Sequence, residues 1–217
     1  MKKIAVILSG CGVFDGSEIH ETVLALHAIE KQGASWHCFA PDIEQLHVIN
    51  HLTGEEMTDK RNVLVESARL VRGKVEDVVK LKADDYDALL LPGGFGAAKN
   101  LTDFAFKGAE CTINAHVAEA CRSFAQADKP AAYLCIAPTI IPMIYGHGVQ
   151  GTVGNDKDVA LAFTHMGGTH IECPVDNYVY DQEHNVLSTP AYMLAENIVD
   201  AATGIERLVE KLIELAK

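Results

Sequence analysis

The sequence predicts an α/β fold: a doubly wound, mostly parallel sheet with an antiparallel hairpin near its C-terminal end. Three observations carry that expectation. Short, wholly apolar runs recur (IAVIL, ALLL and AAYL), as strands covered on both faces should read. Each run ends in a turn-forming loop, SGCG, PGGFG or CIAP, and stretches of helical periodicity lie between them. The last third changes style, with two short strand-like runs flanking DQEHN.

The elements follow in order. Lys3–Ser9 reads as the first strand. A helix over Asp15–Gly33 has Ile19, Val23, Leu26 and Ile29 at helical spacing and Gly33 at its end. Asp15 with Glu18 three residues on resembles a capping box. Ser35–Ala40 is the second strand, closed by Pro41-Asp42, and residues 43–59 are polar and irregular. A helix is expected over Arg61–Val71, a third strand over Asp87–Leu91 and an amphipathic helix over residues 112–127. Ala131–Leu134 is the next strand, and Thr139–Tyr145 a short helix behind Pro138. His170–Cys173, Asn177–Tyr180 and Val186–Thr189 read as short strands, the last two antiparallel. Ala191–Ala216 closes the chain as a long helix. No linker, repeat or low-complexity segment interrupts residues 1–217, so a single domain is expected.

Composition narrows the function. A formal net charge of −12 disfavours nucleic acid as a partner. No apolar stretch reaches the length of about 18 residues that a membrane span needs. The opening MKKIAVILSGCG has two lysines and a short apolar run, but neither the length nor the cleavage site of a signal peptide. It reads as a strand, and a cytoplasmic location is expected. None of the six cysteines forms a C-x-x-C pair, so free thiols are expected.

In doubly wound sheets, chemistry collects at the carboxyl ends of the strands. The glycines of GCGVFDG miss dinucleotide-binding spacing by one residue, and Asp42 lies too far on to be the ribose ligand. They read instead as a tight turn. The paired glycines of PGGFG leave backbone amides open to an oxyanion, or simply make a turn. Cys135 in YLCIAP stands at a strand-to-helix corner. There it is either a small core residue or a nucleophile on an elbow, near the positive end of the following helix. Ala137 suits an elbow; Tyr133, two residues before the cysteine, does not. Glu18 and Glu21 sit in the first turns of helix one, where a buried carboxyl would have a raised pKa and could carry protons. His165, His170 and Cys173 match no standard metal spacing, and no metal site is expected.

LPGGFGAAKNL followed by YLCIAPTII resembles the PfpI group of class I glutamine amidotransferase-like proteins, and HETV resembles that group's acidic motif. Within the group, SGCGVFDGSEIHETV, FAPD, VINHLTGE, RNVLVESAR, GGFGAAKNL and STPAYMLAENI resemble the branch named for enhancing lycopene biosynthesis, the ElbB or ES1-like proteins. The resemblance covers nearly the whole chain. It implies a flavodoxin-like three-layer sandwich, a homodimer and a reactive elbow cysteine, Cys135, with Glu21 as acidic neighbour. It also implies an oxyanion pocket from the Gly94 and Ile136 amides. Gly93, Glu18 and His20 are further candidates for the substrate pocket. The implied activity is a glyoxalase reaction needing no cofactor, which turns glyoxal or a similar small dicarbonyl into a 2-hydroxy acid such as glycolate through a Cys135 hemithioacetal. Protein deglycation is a related proposal. The alternatives are a cysteine-based redox sensor and an accessory protein of isoprenoid metabolism.

Amidotransferases proper carry a Cys-His-Glu triad; the one H-x-E run here is His170-Ile171-Glu172 in the C-terminal third, and glutamine hydrolysis is not expected. Relatives with glyoxalase activity place a histidine beside the cysteine or farther along; here those positions hold Ile136 and Val153 to Asn155. The proton relay is left to Glu21, His20 or another histidine.

Overall fold

The computed structural model describes residues 1–217. Its centre is a seven-stranded sheet built from β1 (Lys3–Ile7), β2 (Ser35–Ala40), β3 (Val75–Asp77), β4 (Ala88–Leu91), β5 (Ala131–Leu134), β8 (Val179–Asp181) and β9 (Val186–Thr189). The order across the sheet is β3-β2-β1-β4-β5-β9-β8. Every pairing is parallel except β8 with β9, which run antiparallel with Val179 opposite Ser188. A small parallel pair, β6 (Gln150–Gly151) and β7 (Thr169–His170), packs beside β8, with the Gln150 amide donating to the Asp181 carboxylate at 2.7 Å.

The central strands are apolar because both their faces are covered. Ile4–Ile7, Ala88–Leu91 and Ala131–Leu134 are all fully buried. Helices cover both sides of the sheet. They are α1 (Ile19–Lys31), α2 (Val63–Leu70), α3 (Phe104–Lys107), α4 (Ala115–Gln126), α5 (Ile141–Tyr145), α6 (Lys157–His165) and α7 (Ile198–Leu215). α1 packs against α7, which buries Ala201, Ile205, Leu208 and Leu212. No helix is long and apolar enough to cross a membrane.

β2, β5 and β9 match the expected strands residue for residue. Several other expectations are corrected. Helix α1 begins at Ile19 with Glu18 as its cap, the carboxylate accepting from the Glu21 amide at 2.6 Å. Asp15 is not that cap, because its carboxylate accepts from the Ile49 amide at 2.7 Å. The closing helix starts at Ile198 under an Asn197 cap; Ala191–Met193 forms only a 3₁₀ turn. The strand expected over His170–Cys173 shrinks to Thr169–His170. β3, β6 and α6 had not been anticipated.

Chain order reverses between β1 and β4: β2 lies to one side of β1, and β4 and β5 to the other. Crevices form at such points, outside the carboxyl ends of the strands. The loops after β1, β4, β5 and β9 meet there.

Candidate active site

The loop after β1 folds onto itself. Gly12 donates to the Ser17 carbonyl and Gly16 to the Gly12 carbonyl, both at 2.8 Å. The Ser9 amide donates to Ser17 Oγ at 2.9 Å. The glycines are used in this turn, and Asp42 accepts from Asn62 Nδ2 at 2.7 Å. Nothing here is arranged as a dinucleotide site.

The loop after β4 is sewn to it. Phe95 donates to the Val13 carbonyl at 2.7 Å and Gly96 to the Gly16 carbonyl at 2.9 Å. Asn100 sits in a π-helical turn over Ala97–Leu101 and donates to the carbonyls of Ser9 and Asp15, each at 2.9 Å. Its Oδ1 accepts from the Leu46 amide at 3.1 Å, which ties in the irregular 43–59 segment. Gly94 has φ +92° and lies against the backbone of Gly16 to Glu18, so any side chain there would collide with main chain.

Cys135 follows β5 directly. Its φ of +61° is a conformation that residues with a Cβ adopt uncommonly, and it marks a true elbow. Its amide donates to the Thr189 carbonyl of β9 at 3.0 Å. Beyond it come a 3₁₀ turn, Ala137–Ile140, and then α5. Tyr133, the residue that looked too large for an elbow, is fully buried in the core and does not prevent the turn.

The Cys135 sulfur and the Glu21 carboxyl lie together beside Gly93, and the Gly94 and Ile136 amides act on the sulfur. Glu21 is fully buried, and its two oxygens are held separately. Oε2 accepts from the Gly93 amide at 2.8 Å, and Oε1 from the Tyr192 amide at 3.2 Å. Gly93 is required by this packing: a Cβ there would lie 2.9 Å from the Cys135 sulfur and 2.8 Å from Glu21 Oε2. Glu18 supports the group from below, capping α1 and donating its amide to the Gly93 carbonyl at 2.8 Å. His20 is exposed, and its Nδ1 pairs with the Tyr192 hydroxyl at 2.9 Å.

Burial lifts the Glu21 carboxyl to about 7, helped by the charge of Glu18 and opposed by the Tyr192 amide, the Cys135 side chain and the Gly93 amide. Burial and then the Glu21 charge push the Cys135 thiol up, while the Gly94 and Ile136 amides pull it down. Two acids in one dry pocket do not both ionise, so above about 7 the pair holds one negative charge, on Glu21, and one proton, on the thiol. The carboxylate is then placed to take the thiol proton as the sulfur reacts.

All the expected site residues therefore converge, and Tyr192 joins them. It was overlooked because its main-chain amide, rather than its side chain, reaches Glu21. The TPAY turn after β9 was the available signal, with Ala191 at φ +45°. The histidine cluster of the C-terminal third does not assemble. His170 Nε2 accepts from the Val153 amide, Cys173 points its thiol at the Pro174 carbonyl, and no three His, Cys, Asp or Glu residues gather as for a metal ion.

No protein-family model matches the chain. Among curated proteins it is similar to the rat "ES1 protein homolog, mitochondrial", with 40% identity over 223 residues, 98% of this chain and 84% of that protein. It is equally similar, at 40%, to the human "Glutamine amidotransferase-like class 1 domain-containing protein 3, mitochondrial", of which it covers 83%. Among solved structures, an isoprenoid biosynthesis protein with an amidotransferase-like domain from Ehrlichia chaffeensis is 34% identical, with a TM-score of 0.92 over 99% of each chain. Glyoxalase III from Candida albicans shares the fold, with a TM-score of 0.62 at 15% identity over 100% of this chain and 98% of that one. The expected cytoplasmic location is corrected by these comparisons, because the curated relatives from rat, human and zebrafish are all named as mitochondrial proteins. With 40% identity over almost its whole length and the elbow, glycine loop and buried glutamate in place, the chain belongs to the ES1 family of glutamine amidotransferase-like class 1 proteins, on a DJ-1/PfpI-like fold.

Proposed function

We propose that the chain is a cofactor-free glyoxalase-type enzyme acting on glyoxal or a similarly small dicarbonyl. The observation that carries this reading is the buried Cys135–Glu21 pair, with the Gly94 and Ile136 amides beside the sulfur and pulling the thiol down. Cys135 is only 7% exposed, which suits a two- or three-carbon substrate.

As the sulfur adds to one aldehyde carbon of glyoxal, the S–H proton passes to the Glu21 carboxylate and from it to the new oxygen, so an S–H bond breaks as the C–S bond forms. The Gly94 and Ile136 amides, beside the sulfur, stabilise that oxygen as it forms. Glu21, now a carboxylate, removes the hydrogen on the same carbon and returns it to the neighbouring carbon, so that one carbon is oxidised as the other is reduced. The product is a glycolyl thioester. Water cleaves it to glycolate and the Cys135 thiol. Substrate plus one water equals product, so no redox partner is needed. The fold shared with Candida glyoxalase III supports the reading at the level of architecture.

The test is turnover of glyoxal by purified protein without added thiol or metal, compared with Cys135→Ser. Loss of glycolate formation in the serine variant supports the mechanism; undiminished formation refutes it. A second reading, an accessory role in isoprenoid metabolism, draws on the name of the Ehrlichia structure. It expects no glyoxal turnover by the wild-type chain and a changed isoprenoid output when the chain is deleted from its host.

A further inference from the structure

Away from the Cys135 site, three sulfur atoms from three separate elements converge. Cys111 ends the 3₁₀ turn Gly108–Glu110, Met143 lies on α5, and Met166 caps the C-terminus of α6. Cys111 Sγ stands 3.7 Å from Met143 Sδ and 3.9 Å from Met166 Sδ. A thiol carries one proton and can donate it to only one of these sulfurs at a time. The other sulfur also brings soft lone pairs into the same space.

We propose that Cys111, Met143 and Met166 form a binding site for a soft monovalent metal ion of the Cu(I) or Ag(I) class. Metal–sulfur bonds run to about 2.3 Å, so three sulfurs around one trigonal ion stand about 4 Å apart, the spacing of Cys111 from each methionine. Thiolate and thioether donors select such ions over hard ones. The charges also agree. One thiolate with two neutral thioethers cancels a single positive charge, which suits a site where Cys111 is 9% exposed and both methionines are half-buried. The nearby carboxylate, Asp103, is engaged elsewhere, accepting from the Thr112 amide and hydroxyl and pairing with Lys107. Binding replaces the thiol proton: an S–H bond breaks, an S–metal bond forms, and one proton leaves to solvent.

The test is anaerobic titration of the full chain with Cu(I) against a chromophoric Cu(I) chelator, with X-ray absorption of the loaded protein. One equivalent per chain is expected, with a copper shell of sulfur only. Cys135→Ser, which removes the competing elbow thiol, keeps that equivalent, and Cys111→Ser loses it. Met143→Leu and Met166→Leu, near volume-neutral changes, each weaken it by about tenfold or more. Glyoxal conversion is unchanged in Cys111→Ser. Copper that follows Cys135, a shell containing nitrogen or oxygen, or full affinity in the Met143→Leu Met166→Leu double variant would overturn the site and leave a plain packing contact. The X-ray readout on the wild-type chain decides the matter even if Cys111→Ser fails to fold.

Discussion

Glu21 and Cys135 meet in the interior beside Gly93, one from the first turn of α1 and the other from the corner after β5. The sheet order makes this contact. β1 and β5 both flank β4, so the helix after β1 and the elbow after β5 come together across the glycine loop after β4. The carboxyl has no room to turn away, because the Gly93 and Tyr192 amides hold its two oxygens.

Glu21→Gln keeps the size of this side chain but removes its acid. Its kcat/KM for glyoxal is expected to fall by about 100-fold or more, the usual worth of a positioned proton donor. A variant within threefold of wild type would show that Glu21 is not the relay.

The same residue sets a stability slope. The folded value of about 7 lies above the ordinary 4.5, so the folded chain holds a proton on Glu21 that the unfolded chain has lost between those two pH values. Stability from this group is therefore fully present below about 4.5 and is lost as pH rises through about 7, on the order of 3 kcal/mol in all. Chemical denaturation at pH 5 and pH 8 should show that decline in the wild-type chain and a flatter profile in Glu21→Gln.

Gly93→Ala pushes a methyl group between Cys135 and Glu21. Overpacking of this kind costs about 1–3 kcal/mol, and displacement of the pair should remove turnover. A denaturation midpoint and a glyoxal assay on the same preparation check both. Wild-type values in the two would mean that the loop is free to move aside.

Asn100→Ala strips three hydrogen bonds from the junction of the loops after β1 and β4 and the 43–59 segment. The buried carbonyls of Ser9 and Asp15 lose their donor, and a loss of about 2–3 kcal/mol is expected in urea denaturation. A loss below about 0.5 kcal/mol would mean that water replaces the side chain without penalty.

Tyr192→Phe leaves the main-chain amide on Glu21 and removes only the hydroxyl that His20 pairs with. If His20 and Tyr192 line the substrate entrance, KM rises and kcat stays within about threefold; a fall in kcat matching Glu21→Gln would instead place them in the relay.

The central strands are readable because a buried parallel strand has only one kind of neighbour, and β4 (ALLL) and β5 (AAYL) show it plainly. The elbow cysteine and its glutamate were visible as residues, but the reason Cys135 is held, with φ +61° and its amide on the Thr189 carbonyl, belongs to the folded chain. Asp15 shows why local rules fail: it sits where a helix cap should, but Ile49, distant in sequence, takes its carboxylate. β3, with the sequence VED, is a three-residue edge strand and too polar and short to stand out. α6 carried a legible cap in Asp156, but it buries only Phe163, so its apolar stripe is faint. Tyr192 acts through its amide, which every residue but proline possesses, so its contribution leaves no mark in the side-chain pattern.

The most direct measurement is proton NMR of glyoxal mixed with the purified, metal-free chain and with its Cys135→Ser variant, in buffer without thiols. The account predicts that the wild-type chain converts glyoxal to glycolate and that the serine variant stays at the buffer rate. Glycolate formed equally fast by the serine variant, or none formed by the wild-type chain, would contradict it.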